Sequence, residues 1–136
     1  MVTNATQRAA LMSIRPPFAR AILEGTKLVE FRKRRLAEDI DRVVIYTTSP
    51  VQAIVGEFRV QEQITASPSE LWRRYSKIAG IDRASFFEYF AGTADAVGIL
   101  IEHVTRYERS QSLEEFDPGS RAPQSFRYIA LAPGRP

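Results

Sequence analysis

Apolar side chains change their spacing several times along the chain, and each change predicts an element. Leu11-Met12-Ser13-Ile14-Arg15 reads as a short first strand. Pro16-Pro17 then opens a helix, because a fixed φ suits the first turn and the missing N–H is not needed there. Phe18, Ala19, Ile22 and Leu23 recur at helical spacing, and Gly25 is a natural stop. From Lys27 to Arg34 the pattern alternates, with Val29 and Phe31 on one face and Leu28, Glu30 and Arg32 on the other, which predicts a strand. Val43-Val44-Ile45-Tyr46 is apolar on both faces, as a central strand would be, and Ser49-Pro50 bends the chain after it. Ala53 to Val60 alternates again, with Glu57 and Arg59 on one face.

A helical stretch follows. Ser67-Pro68-Ser69-Glu70 carries a cap, a first-turn proline and the acid of a capping box. Leu71, Trp72, Tyr75 and Ile78 give that helix an apolar face up to Gly80; Trp72 is expected in the core. Asp82 caps a second helix, with Phe86, Phe87 and Phe90 turned inward and Gly92 ending it. Ala96 to Tyr107 predicts a long strand, Ser112 to Phe116 a single helical turn, and Ser125 to Leu131 a last strand. Residues 1–10 are expected to form a flexible tail and residues 132–136 a loose end, leaving one domain over 11–131. Strands and helices do not alternate regularly, which argues against a doubly wound sheet and for a small curved sheet or barrel with helices over its openings. The insertion from Ser67 to Gly92 is placed to shape or lid a cleft.

Composition narrows the chemistry. The chain has 136 residues, 44% hydrophobic and 26% charged, which suits one globular domain with a proper core. It has no cysteine, which excludes disulfides, thiolate zinc sites, iron–sulfur clusters and a cysteine nucleophile. Its single histidine, His103, lies in the strand run Ile99-Leu100-Ile101-Glu102-His103-Val104 and reads as a packed or surface residue, so neither a metal nor a cofactor is expected. The polar N-terminus lacks the apolar core of a secretory signal, and no apolar run approaches the ~20 residues of a membrane span. A cytoplasmic protein without a membrane partner is expected. The net charge is +3, which permits a polyanionic partner. Four cations, Arg32-Lys33-Arg34-Arg35, follow Phe31; they suit either phosphates or a solvated strand end.

The stretch Gly25-Thr26-Lys27-Leu28-Val29-Glu30-Phe31-Arg32 resembles the Gly-x-Lys-x-x-Glu-x-Arg signature of ASCH domains, a branch of the PUA-like superfamily. Three further segments are similar in the right order: Ser13-Ile14-Arg15-Pro16, then Tyr46 to Pro50 with Ile54 to Phe58, and the closing Pro123-Gln124-Ser125-Phe126-Arg127-Tyr128. The resemblance covers residues 11–131. It implies an α+β, PUA-like fold, a small mixed β-barrel of five to six strands with helices at the rims, and a cleft with the signature residues at its wall. It also implies a tie to RNA: some small members resemble amidohydrolases that deacylate N4-acetylcytidine, and others resemble ribonucleases. The amidohydrolase-like members carry a threonine where this chain has Glu30. Their distal catalytic glutamate has only Glu57 as a candidate here.

The residues themselves point to a similar cleft. Glu30 and Arg32 are two apart on a strand and share a face, where burial is costly unless they pair or hold a ligand. A carboxylate can accept from the amino and imino groups of a base, and an arginine fork suits phosphate; the alternative is a plain ion pair. Lys27 can reach a phosphate or, desolvated, act as a base or nucleophile. Tyr46, Thr47, Thr48 and Ser49 at a strand end can read a base edge. Ser125 and Arg127, on one strand face, either border the same cleft or belong to an ordinary edge strand. Tyr46, Trp72, Phe126 and Tyr128 can stack a base or fill the core. The expectation is therefore a module for RNA, single-stranded nucleic acid or a nucleotide or nucleoside, in which Lys27, Glu30, Arg32 and the cations Lys33, Arg34 and Arg35 contact the ligand. The alternatives are an amidohydrolase on an acylated nucleoside or a ribonuclease, with Lys27 and Glu30 catalytic. A protein-interaction role through Phe86, Phe87, Tyr89 and Phe90 is the remaining one.

Overall fold

The computed structural model describes residues 7–131. Six strands form one mixed sheet: β1 (Arg8–Ile14), β2 (Val29–Arg32), β3 (Arg42–Thr47), β4 (Ala53–Ala66), β5 (Ala96–Gln111) and β6 (Phe126–Ala130). Helix α1 (Pro16–Glu24) follows β1. Helices α2 (Pro68–Tyr75) and α3 (Arg83–Tyr89) lie between β4 and β5, and the short α4 (Leu113–Phe116) precedes β6. The spatial order is β2-β5-β4-β3-β1-β6, and β1 with β3 is the parallel pair. The sheet bends because β4 and β5 shift register three times, between Ile54 and Gly56, Glu57 and Arg59, and Val60 and Glu62; such bulges raise local twist. Gly56 is required at the first bend, since a Cβ there would lie 2.5 Å from the Thr105 carbonyl oxygen.

The expected barrel is not closed by backbone bonds: β2 and β6 are the two edges of the sheet. Side chains bridge the gap instead. Arg32 at the end of β2 donates to the Ser13 carbonyl at 2.9 Å and to Ser125 Oγ at 3.0 Å. The Ala37 N–H donates to the Tyr128 hydroxyl at 2.8 Å.

One core lies inside the curl, where Met12, Ile14, Ile22, Ile45, Phe58 and Ile99 are fully or almost fully buried. A second packs α2 and α3 onto β2 and the adjoining half of β5, around Leu71 and Phe86. Phe86 meets Phe31 edge-on at 4.8 Å and lies 5.0 Å from Trp72, which is partly buried and packs against this core rather than inside it. A side chain of this kind contributes about 1.5–3 kcal/mol by burial. Val44, Tyr46 and Ile54 form a third cluster on the outer face, with Leu113 and Phe116 of α4 against it.

Several boundaries differ from the sequence reading. Strand β1 begins at Arg8, so residues 8–10 are not part of a tail. Ala9 and Ala10 are fully buried, and the strand is paired on both sides, which overrides alanine's weak strand preference. Residues 1–6 of the expected tail and the expected loose end at 132–136 lie outside the described residues. Strand β4 runs on to Ala66, because its far half pairs with β5. Helix α2 ends at Tyr75 and continues as a single 3-10 turn over Ser76–Ile78. Ser67 does cap α2, but Glu70 does not complete the box; its carboxylate binds Arg73 instead. The full capping box occurs at α4, between Ser112 and Glu115. His103 is a surface residue, with φ of +51° in the irregular stretch of β5.

Candidate functional site

Gly25 ends α1 in the left-handed region at φ +85° and turns the chain back on the helix, where the Lys27 N–H donates to the Ala21 carbonyl at 3.1 Å. That turn delivers Lys27 to the start of β2. Its stem runs against Gly80, whose own φ is +64° and where an added Cβ would come within 2.6–2.9 Å of the Lys27 methylenes. Lys27 Nζ donates to the Ala79 carbonyl at 2.6 Å and lies 5.3 Å from each of the Phe18 and Phe31 rings. The loop after α2 thus holds the lysine against an aromatic wall.

Within β2, Glu30 and Arg32 share one face. Glu30 Oε2 accepts from Arg32 Nε at 3.0 Å and from Arg32 Nη2 at 2.7 Å, and Glu30 Oε1 lies 3.7 Å from Lys27 Nζ. Lys27, Glu30 and Arg32 are 2%, 6% and 9% exposed, far below ordinary charged residues. Burial lowers the Lys27 pKa from 10.5; Glu30 opposes that shift and Arg32 adds to it. Two cations face one carboxylate, so the cluster holds one excess positive charge.

This cluster is not sealed. With Ser13, Phe86 and Tyr89 it lines a hollow of about 460 Å³. Arg15 and Gln124 are at its exposed rim, and Ser85 and Glu88 of α3 form part of its wall. The insertion between β4 and β5 therefore shapes the cleft, as its place in the sequence suggested. Burial raises the Tyr89 pKa, with Arg32 opposing.

The other expected site residues divide. Ser125 reaches the cluster through Arg32, and Thr48 lines the hollow. Tyr46 does not: it alternates with Ile45 on β3 and packs into the outer-face cluster. Among the described residues the buried Thr47 has no hydrogen-bond partner for Oγ1, and Ser49 is exposed and precedes a cis proline. Lys33, Arg34 and Arg35 are exposed beyond the end of β2.

Arg127 is separated from Ser125. Strand β6 begins at Phe126, so alternation does not reach back to Ser125, and Arg127 pairs across the ladder with the outer-face Leu11. It lines a second hollow of about 660 Å³ on that face. Glu57 lines it too, opposite Val44 in the ladder, so it is no part of the Lys27 cluster. Glu57 accepts from the Tyr107 hydroxyl at 2.7 Å. In this larger hollow Arg42 faces Glu57 at 3.5 Å and Arg127 faces Asp117 at 3.0 Å, while Arg109 turns to Glu115, outside the lining, at 3.2 Å; among the described residues the buried Arg42 Nε has no hydrogen-bond partner.

Sequence reasoning missed Phe18 and Tyr89 as cleft residues, because each fits an apolar helix face equally well. Arg15 and Gln124 were also missed, although both fall inside segments that carry the family resemblance. Among the described residues, no group of three or more His, Asp or Glu side chains could hold a metal ion. No described helix is long and apolar enough to cross a membrane.

The ASCH domain family model matches residues 12–118. The chain belongs to the ASCH domain family. An ASCH domain-containing ribonuclease of Zymomonas mobilis subsp. mobilis is 30% identical over 126 residues, which cover 90% of this chain and 85% of that protein. The crystal structure of the ASCH protein from Zymomonas mobilis superposes with a TM-score of 0.82 over 89% of this chain and 87% of that one. A further crystal structure, of that protein with a tyrosine-to-phenylalanine substitution, gives the same TM-score and identity. Large ribosomal subunit protein uL22 of Ureaplasma parvum is 27% identical over 91% of this chain but only 40% of its own length. The six-stranded mixed sheet with its helices is thus the PUA-like ASCH fold, with open edges.

Proposed function

We propose that this ASCH domain binds single-stranded RNA, takes one nucleotide into the Lys27–Glu30–Arg32 cleft, and cleaves the strand there. The observation that carries this reading is the excess positive charge at the floor of a hollow of about 460 Å³. A buried charge without its full complement of partners is costly, and an RNA phosphate supplies the missing anion. In the larger hollow on the outer face each lining arginine has a carboxylate of its own within 3.5 Å, whereas Lys27 and Arg32 share one.

The three residues take different roles in this reading. Lys27 is the proton-transfer group. Its ammonium has three donors, of which Ala79 takes one, and its lowered pKa raises the share of neutral amine; that amine can take the proton of a ribose 2′-hydroxyl as its oxygen bonds to phosphorus, and the ammonium so formed can give the proton to the 5′-oxygen that leaves as the P–O bond breaks. Glu30 holds Lys27 in place and keeps Oε1 open to a ribose hydroxyl or a base amino group. Arg32 is occupied by Glu30, Ser13 and Ser125, so it positions Glu30 rather than meeting the phosphate. The similarity to the Zymomonas ribonuclease over nine-tenths of the chain favours cleavage over binding alone.

The test is incubation of end-labelled single-stranded RNA with wild type and Lys27→Ala, with magnesium and with a chelator in parallel. Wild type is expected to cleave in at least one arm, and Lys27→Ala to be slower by about 10²–10⁴-fold. Equal cleavage by both proteins would refute the role of Lys27. Lysine with a lowered pKa beside a carboxylate also suits amide hydrolysis on an acylated nucleoside. Release of acetate from N4-acetylcytidine by wild type but not by Lys27→Ala would favour that second reading.

A further inference from the structure

We infer that RNA leaving the cleft crosses a ladder of cations and aromatic rings that runs from Tyr89, along residues 33–37, to Tyr128. This inference rests on the reading that the cleft holds one RNA nucleotide.

Tyr89 lines the cleft, and Lys33 Nζ lies 4.9 Å from the centre of its ring. The next cation, Arg34, lies 4.6 Å from the Phe126 ring. Phe126 is 5.8 Å from Tyr128, and the Tyr128 hydroxyl is tied to the Ala37 N–H. Arg8 lies over Tyr128 at 4.5 Å. Rings and cations therefore recur from the cleft mouth to β6, with chain adjacency joining the Tyr89–Lys33 pair to the Arg34–Phe126 pair.

Two features separate this ladder from ordinary packing. Tyr89 and Tyr128 are 42% and 37% exposed, and both are among the few large apolar side chains left open to water. Arg8 and Arg35 have acidic partners, Asp39 and Glu38, but among the described residues neither Lys33 nor Arg34 has a carboxylate within 4.0 Å. Adjacent cations without acids repel each other unless a polyanion comes between. A ring face with a cation beside it offers a base a stacking surface and its phosphate a partner, which is how single strands are held without sequence preference. Phe126 is mostly buried, so its part is to seat Arg34 rather than to stack.

The ladder also sets a length. Residues 33 to 37 can span at most about 14 Å, and stacked nucleotides rise about 3.4 Å each. No more than about four nucleotides therefore fit beyond the one in the cleft.

The experiment is fluorescence anisotropy with labelled single-stranded RNA of one to eight nucleotides, on wild type, Arg34→Glu, Tyr128→Ala and, as a control, Arg73→Glu on α2. Circular dichroism and thermal midpoints confirm that each variant is folded. For wild type, affinity is expected to climb with length and level off near five nucleotides. Tyr128→Ala is expected to bind the hexanucleotide about tenfold more weakly. Arg34→Glu is expected to weaken it by a similar factor and to flatten the salt dependence by roughly 0.7 for each phosphate no longer neutralised. Arg73→Glu is expected to keep the wild-type length profile. RNA binding with no gain beyond two nucleotides, or a profile unchanged in both ladder variants, would overturn the ladder and leave the cleft reading intact. Failure of wild type to bind RNA of any length would overturn both.

Discussion

Arg32→Met removes the guanidinium that ties three parts of the molecule together. That group makes two charge-assisted bonds to Glu30, one to the Ser13 carbonyl and one to Ser125 Oγ. Removing one member of a buried ion pair typically costs about 3–5 kcal/mol, because the other charge is left unmatched. Lys27 remains 3.7 Å from Glu30, and the hollow beside them admits water, so the lower end of that range is expected. For 136 residues the unfolding entropy near 60 °C is about 0.29 kcal/mol/K, so a loss of about 3 kcal/mol lowers Tm by about 10 °C. Urea titration of wild type, Arg32→Met, Glu30→Gln and the double variant gives the coupling directly. Once Glu30 is neutral, Arg32→Met should cost at least about 1 kcal/mol less than it does in wild type. Additive effects, or a loss below about 1 kcal/mol for Arg32→Met alone, would refute the claim that this arginine holds the carboxylate and bridges the open edge.

Gly80→Ala and Gly92→Ala form a matched pair, since both positions have φ in the left-handed region, +64° and +78°, but only Gly80 meets a neighbour. Left-handed strain costs about 1–2 kcal/mol at either site. Gly80→Ala should lose more stability than Gly92→Ala by urea titration, and it alone should displace the Lys27 stem and reduce cleavage. Lys27 also predicts a pH effect. Its folded pKa is lowered from 10.5, so between the two values the unfolded chain binds more protons, and this group's contribution to stability rises with pH. The stability difference between wild type and Lys27→Met, measured in urea from pH 7 up to the ordinary lysine value of 10.5, should shift in favour of wild type as pH rises. A difference that is flat or runs the other way would contradict the desolvation of this lysine.

Much of the fold was legible because local signals agreed with the final packing. Pro16-Pro17 and Gly25 bound α1, and Ser67, Asp82 and Ser112 cap the helices that their sequence contexts predict. What local pattern could not supply were effects of pairing at a distance. The strand status of Ala9 and Ala10 depends on β3 and β6, and the extension of β4 depends on β5. The cluster at the candidate site was legible too, since Lys27, Glu30 and Arg32 fall within one short signature and meet in the structure. Arg127 shares no strand face with Ser125, because β6 begins only at Phe126, and the strand-end Tyr46 packs into the outer-face cluster rather than the cleft. Tyr89 became visible only when α3 was seen docked against β2.

The most direct test of the account is an amide chemical-shift map of the isotope-labelled protein titrated with a single-stranded RNA pentanucleotide. The account predicts the largest shifts at Lys27, Glu30, Arg32, Tyr89 and Lys33, with residues 42, 57 and 109 of the outer hollow unmoved. Shifts centred on Arg42, Glu57 and Arg109, or none in the cleft at saturating RNA, would contradict it.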